Sequence, residues 1–126
     1  MEMTGEVVSG LGRGAAYVGM DTYQERFEDV LGFSPFPGTL NIVVDEEAKE
    51  ALKAAAERER IEGFEKDGER FSAVDAFPVT VETVEAALLE MEVTDHPPEV
   101  AEIVAPQNLR DELALEDGDT VTCRPR

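Results

Sequence analysis

Three stretches of this 126-residue chain carry residue types from which a reaction centre can be assembled. The first is Gly10-Leu11-Gly12-Arg13-Gly14-Ala15-Ala16. Glycines let successive backbone N–H groups converge on one point and admit an anion closely, so this run can cradle a phosphate. Arg13 adds a cation in a chain that has few. The run lacks both the following helix of a dinucleotide fingerprint and the Gly-Lys-Ser/Thr of a nucleotide loop, and read by itself it fits a plain β-turn better.

The second stretch is Pro35-Phe36-Pro37-Gly38-Thr39-Leu40-Asn41, a bend that feeds a strand. Strand alternation puts Thr39 and Asn41 on one face and Leu40 on the other, so a hydroxyl and an amide oxygen can point at one cation. Such neutral oxygens suffice for Mg²⁺ only when substrate phosphates and waters complete the octahedron. An edge turn with local side-chain hydrogen bonds accounts for the pair at least as well. Phe33, Phe36 and Leu40 fit either an apolar pocket or the core.

The third stretch runs from Thr94 to Arg110 and includes Glu102 and Gln107-Asn108-Leu109-Arg110. Val100 and Glu102 share one strand face and Ala101 and Ile103 the other, so Glu102 is expected among inward or site-facing groups. His96, the only histidine, reads as a loop residue.

The elements that must position these groups are mostly short alternating runs, at 6–9, 15–18, 39–44, 70–77, 79–84, 88–93, 100–104 and 120–124. Gly, Pro or Asp-Gly pairs bound most of them. Asp67-Gly68 is the clearest hairpin turn, and Asp117-Gly118 marks another. Two helices interrupt the strands. One spans about 23–31, with Thr22 and Glu25 as a capping box, Tyr23 and Phe27 on one face and Gly32 as its stop. The other spans 46–58 behind Asp45 as N-cap, with a narrow apolar stripe under a charged face. A short helical turn is expected over 108–113. Many short strands in one small domain, 1–126, usually close into a barrel.

Composition narrows the partners. The chain carries 11 Lys and Arg against 29 Asp and Glu, a net charge of −18, which excludes duplex nucleic acid as a default ligand because phosphate binding needs clustered cations. Acids interspersed with apolar residues argue for a folded chain, and eight Arg against three Lys suit near-molar salt, where the Debye length is about 3 Å. The expectation is therefore a halophilic protein. A lone cysteine, Cys123, allows no internal disulfide, and neither a membrane span nor a signal peptide is visible. These features predict a cytoplasmic protein.

Taken together, Gly5-Glu6-Val7-Val8-Ser9-Gly10-Leu11-Gly12-x-Gly14, Leu31-Gly32-Phe33-x-Pro35 with Gly38-Thr39-Leu40-Asn41, Glu102-Ile103-Val104-Ala105-Pro106 with Leu109-Arg110, and Leu115-Glu116-Asp117-Gly118-Asp119-x-Val121 form an ordered set. In order and spacing the set resembles the archaeal CTP-dependent riboflavin kinases from about residue 5 to 121. The resemblance implies a mainly β fold, a small closed six-stranded cradle-loop (RIFT-type) barrel with a few peripheral helices. It implies transfer of the γ-phosphoryl group of CTP to riboflavin, giving FMN and CDP. By the same resemblance Leu11, Gly12, Arg13, Gly14, Ala15 and Ala16 wrap the nucleotide from one side and Gln107, Asn108, Leu109 and Arg110 from the other. Thr39 and Asn41 ligate Mg²⁺, and Thr94 and Glu102 contact the flavin. Glu102, the one carboxylate within these motifs that also alternates toward the expected site, is the expected catalytic group. The winged-helix domain of some relatives is expected to be absent, and the protein to be a monomer without a nucleic-acid or membrane partner. A non-catalytic flavin- or nucleotide-binding barrel, acting as carrier or sensor, is the alternative.

Overall fold

The computed structural model describes residues 1–9, 18–92 and 97–126. Nine strands and three helices are described: β1 (Met3–Val8), α1 (Asp21–Leu31), β2 (Leu40–Val44), α2 (Glu46–Ala55), β3 (Glu59–Ile61), β4 (Phe64–Lys66), β5 (Glu69–Phe71), β6 (Val74–Val81), β7 (Val84–Met91), β8 (Val100–Val104), α3 (Leu109–Glu112) and β9 (Thr120–Pro125). Every pairing is antiparallel. The order β6-β7-β8-β2-β1-β9 closes on itself through a β6–β9 ladder, making a six-stranded barrel with β3 added outside on β6. The closed barrel expected from the sequence is thus borne out, with one extra strand and a β4–β5 hairpin beside it.

Two apolar cores flank the barrel wall. Met3, Val7, Leu40, Ile42, Val79, Leu88, Ile103 and Val121 fill the interior, joined by Leu52 from α2 and Leu109 from α3. Tyr23, Phe27, Phe71, Val74, Leu89 and Val104 form a second core on the outer face under α1. There Tyr23 meets Phe64 edge-on at 5.0 Å between ring centroids, and Phe64 stacks on Phe71 at 5.1 Å. The Tyr23 hydroxyl donates to Ser72 O at 2.9 Å, which satisfies its polar end.

Several expected local devices are present. Asp67 (φ 53°) and Gly68 (φ 78°) make the tight turn between β4 and β5. Asp45 caps α2 by accepting from Glu47 N at 2.8 Å. The short helical turn expected over 108–113 is α3, and its cap, not foreseen, is Asn108, which accepts from Arg110 N at 3.0 Å. Gly32 (φ 79°) ends α1.

Other expectations need correction. Thr22 does not cap α1: the helix begins at Asp21 with Met20 as its N-cap and no side-chain cap bond. Asp21 brings negative charge to the first turn instead. The expected run 70–77 splits between β5 and β6. The run 79–84 is no strand of its own, because β6 continues through Pro78 and turns at Glu82, whose φ is 53°. Pro78 is tolerated in mid-strand because it lies where β6 changes partner on one side, from β3 at residues 74–76 to β9 at residues 79–81. Helix α2 ends at Ala55, short of the expected residue 58. Most of the expected strand 15–18 lies outside the described residues.

Candidate active site

The register of β2, β8 and β7 sets Asn41, Glu102 and Leu89 side by side across three strands. Their neighbours Leu40, Ile42, Ala101, Ile103 and Leu88 belong to the barrel interior, so this row lies on the outer face. Glu102 therefore does not point into the barrel. It is nonetheless only 7% exposed, because the outer face is itself covered by the second core. Burial on both faces makes β8 buried at all five positions, so its sequence alternation could not tell inside from outside.

Thr39 lies one residue ahead of β2. Its Oγ1 donates to Glu102 Oε2 at 3.3 Å. Next along the strand, Asn41 is 8% exposed, and its Oδ1 is a buried oxygen with no hydrogen-bond partner among the described residues. An unpaired buried acceptor costs about 1–3 kcal/mol, so this oxygen is ready for a ligand that brings a donor or a cation. Among the described residues no group of three or more His, Cys, Asp or Glu side chains could hold a metal. The oxygens of Thr39 and Asn41 still suit Mg²⁺ when phosphates and waters supply the remaining ligands.

Two cavities flank the Thr39–Glu102 pair, one lined by each residue. A small one of about 120 Å³ is lined by Thr39, Phe36, Gln107, Asn108, Leu109 and Arg110. Its volume is below the 300–1,000 Å³ or so of pockets that enclose a whole small molecule, so it fits part of one. The bend before β2 is fixed by Phe36 N donating to Ala105 O and Gly38 N donating to Phe36 O, each at 2.7 Å. Phe36 is 38% exposed, Leu40 belongs to the interior core and Phe33 packs on the outer one. A larger cavity of about 400 Å³ lies on the other side, lined by Glu102, Leu89, Met91, Pro97, Pro98 and Lys49. Lys49 Nζ donates to Pro98 O at 3.0 Å and Val100 O at 3.1 Å, tying α2 to the approach of β8. Burial, and then the charge of Lys53, lowers the Lys49 pKa from its ordinary value.

Thus Thr39, Asn41, Glu102 and the segment Gln107-Asn108-Leu109-Arg110, far apart in sequence, converge on one side of the barrel. Leu11, Gly12, Arg13, Gly14, Ala15 and Ala16 lie outside the described residues, as do Thr94 and His96. Two features of the site escaped the sequence reading. Lys49 and Lys53, two of only three lysines and four residues apart on one helix, both line the larger cavity, and that pairing was a readable signal. The other is Asp117, taken only as a turn residue, which accepts from Arg110 Nη2 at 2.7 Å and from Ser9 Oγ at 2.6 Å. The Ser9 hydroxyl, with Arg110, holds the Asp117 carboxyl below the usual carboxylate range.

A family model named CTP-dep_RFKase, described as "Domain of unknown function DUF120", matches residues 7–124. The riboflavin kinase of Ignicoccus hospitalis is 42% identical over 123 residues, covering 96% of this chain and 69% of that protein. That of Thermococcus kodakarensis is 47% identical over 121 residues, covering 94% and 56%. That of Methanocella arvoryzae is 41% identical over 119 residues, covering 94% and 54%. The chain therefore spans about half to two-thirds of the length of these relatives. Among the described residues no helix is long and apolar enough to cross a membrane.

Proposed function

The chain belongs to the CTP-dependent riboflavin kinase family, and on that premise we propose that it phosphorylates riboflavin to FMN with CTP as the phosphoryl donor. The observation that carries this reading is the Thr39–Glu102 hydrogen bond, which joins the two cavities. In the reading, the nucleotide's phosphate end enters by the smaller cavity, between Thr39 and the Gln107-Asn108-Leu109-Arg110 segment. Leu11, Gly12, Arg13, Gly14, Ala15 and Ala16 enclose it from the other side with backbone N–H groups and one guanidinium. Riboflavin takes the larger cavity, its ribityl end toward Glu102 and Thr94.

Phosphoryl transfer passes through a loose, largely dissociative transition state, so a kinase works mainly by aligning donor and acceptor and neutralising charge. Glu102 orients the 5′-hydroxyl of riboflavin and takes its proton as the new O–P bond forms and the bond to CDP breaks. The Thr39 hydroxyl, donating to Oε2, holds the Glu102 carboxylate in position. Thr39 and Asn41 would hold Mg²⁺, and the unpaired Asn41 Oδ1 supports that assignment. Bound there with the phosphates, the ion supplies charge neutralisation of the transferring group. Cytoplasmic location and a monomeric state belong to the same reading.

The test is product analysis after incubating the chain with riboflavin and Mg²⁺ in concentrated KCl, with CTP and ATP offered separately. FMN formed with CTP alone is the expected result. FMN from both donors keeps the reaction but removes the donor preference, and flavin binding without FMN replaces the kinase with a carrier.

A further inference from the structure

Arg110 reaches across three segments of the fold. Its Nη2 donates to Val8 O at 3.2 Å, to Ser9 Oγ at 2.9 Å and to Asp117 Oδ1 at 2.7 Å. Ser9 Oγ in turn donates to the same Asp117 oxygen at 2.6 Å, closing a three-membered ring of charge-assisted bonds. The groups come from the N-terminus of α3, from the end of β1 and from the turn that leads into β9. That turn is anchored on β1 as well, through Gly118 N donating to Val7 O at 2.9 Å and Val7 N donating to Asp119 O at 2.8 Å. Asp117 therefore sits on a fixed platform, and the flexible guanidinium is fastened to it.

Toward the described residues, two of the three guanidinium nitrogens are unspent. All three contacts use Nη2, and none of the contacts to described residues uses Nη1 or Nε. The same side chain lines the small cavity that Thr39 also lines. An arginine with one nitrogen pinned and two nitrogens available presents a fixed fork to a phosphate oxygen, and less conformational entropy is lost when the bond forms. In a chain with a net charge of −18, such a cation has to be held in place to act on an anion rather than pair with any of the surrounding carboxylates.

We propose that Asp117, together with Ser9, is a positioning residue of the nucleotide site that acts through Arg110, fixing its guanidinium for the phosphates of a nucleoside triphosphate. This rests on reading the small cavity as the nucleotide end of the site. Asp117 touches no substrate in this account; its effect passes entirely through Nη2 of Arg110.

The experiment measures Kd for CTP and for riboflavin separately, in concentrated KCl, for the unaltered chain and for D117N, D117E, S9A, R110A and the double variant D117N/R110A, with the thermal midpoint of each. D117N should raise the Kd for CTP about three- to tenfold, from the loss of one charge-assisted bond, with the Kd for riboflavin unchanged. S9A should give a smaller rise in the same direction, and D117E, which keeps the carboxylate, should recover part of the loss. Because Asp117 acts through Arg110, adding D117N to R110A should raise the Kd no further. Unchanged CTP affinity in D117N overturns the proposal. So does a rise that is equal for both ligands, or one that adds fully to that of R110A, because either marks a general effect on the fold. If the unaltered chain binds riboflavin but not CTP, the reading of the cavity falls, and the proposal falls with it.

Discussion

Thr39 and Glu102, 63 positions apart in sequence, are joined by a 3.3 Å hydrogen bond between Oγ1 and Oε2 on the outer face of a closed barrel. Each lines a different cavity, so the bond marks the boundary where two ligands can meet. The β2–β8 register puts Asn41 directly beside Glu102, so two oxygen-bearing side chains adjoin the same boundary. Phosphoryl transfer needs such a boundary, with donor and acceptor approaching from opposite sides and oxygen ligands beside the line of transfer.

Replacing Glu102 by Gln keeps size and hydrogen-bonding reach but removes the carboxylate that is proposed as the base. The expected result is a fall in kcat of about 100-fold or more, with the thermal midpoint retained. Steady-state kinetics beside a melting curve decide the matter. Unchanged turnover and unchanged flavin affinity would remove Glu102 from the reaction.

Asn41 separates function from stability. Its buried Oδ1 lacks a partner among the described residues, so Asn41→Leu should hold the stability of the ligand-free chain or raise it by about 1 kcal/mol. The same change should abolish both FMN formation and any rise of the thermal midpoint on adding Mg²⁺. A variant that still answers to Mg²⁺ like the parent chain would show that the ion binds elsewhere.

Gly5 is fixed by barrel closure. A Cβ added there would lie 2.6 Å from Val44 Cγ1 and 2.9 Å from Val43 O, and the backbone oxygen cannot move without disturbing the β1–β2 ladder. Gly5→Ala should therefore cost about 1–3 kcal/mol, read as a lower denaturant midpoint. An unchanged midpoint would mean that β1 and β2 lie farther apart than described.

Cys123 is buried in the barrel core, and burial, with the nearby Glu82 charge, pushes its thiol up to about 12. The thiolate is the reactive form, so at neutral pH the folded chain should resist alkylation and the denatured chain should react readily. Rapid labelling under native conditions would contradict the buried placement.

At a net charge of −18, the chain and a nucleoside triphosphate repel each other unless salt screens them. The KM for CTP should fall as KCl rises from about 50 mM to about 2 M, where the Debye length drops to a few ångströms. Full activity at about 50 mM would show that local cations outweigh the overall field.

Much of this was legible in the sequence because the signals were local. Asp67-Gly68, Asp45 and Gly32 each mark the edge of an element by chemistry confined to a few residues, and each acts as expected. What failed depended on distant partners. The side of the wall that Glu102 occupies is set by the core that Tyr23, Phe27 and Phe71 build over the outer face, and no spacing within β8 encodes it. Pro78 reads as a strand break until β3 and β9 are seen to divide its strand's edge between them. Asp117 reads as a turn residue because its partners, Ser9 and Arg110, lie in other segments.

The most direct test of the account follows the phosphorus atom. CTP labelled at its γ-phosphate would be incubated with riboflavin, Mg²⁺ and the chain in about 2 M KCl, chosen for screening, and the label traced among FMN, inorganic phosphate and protein. Transfer across the Thr39–Glu102 boundary predicts label in FMN, one for each CDP formed, with none left on the protein. Label released as inorganic phosphate without FMN, or no release at all with both ligands bound, would contradict it.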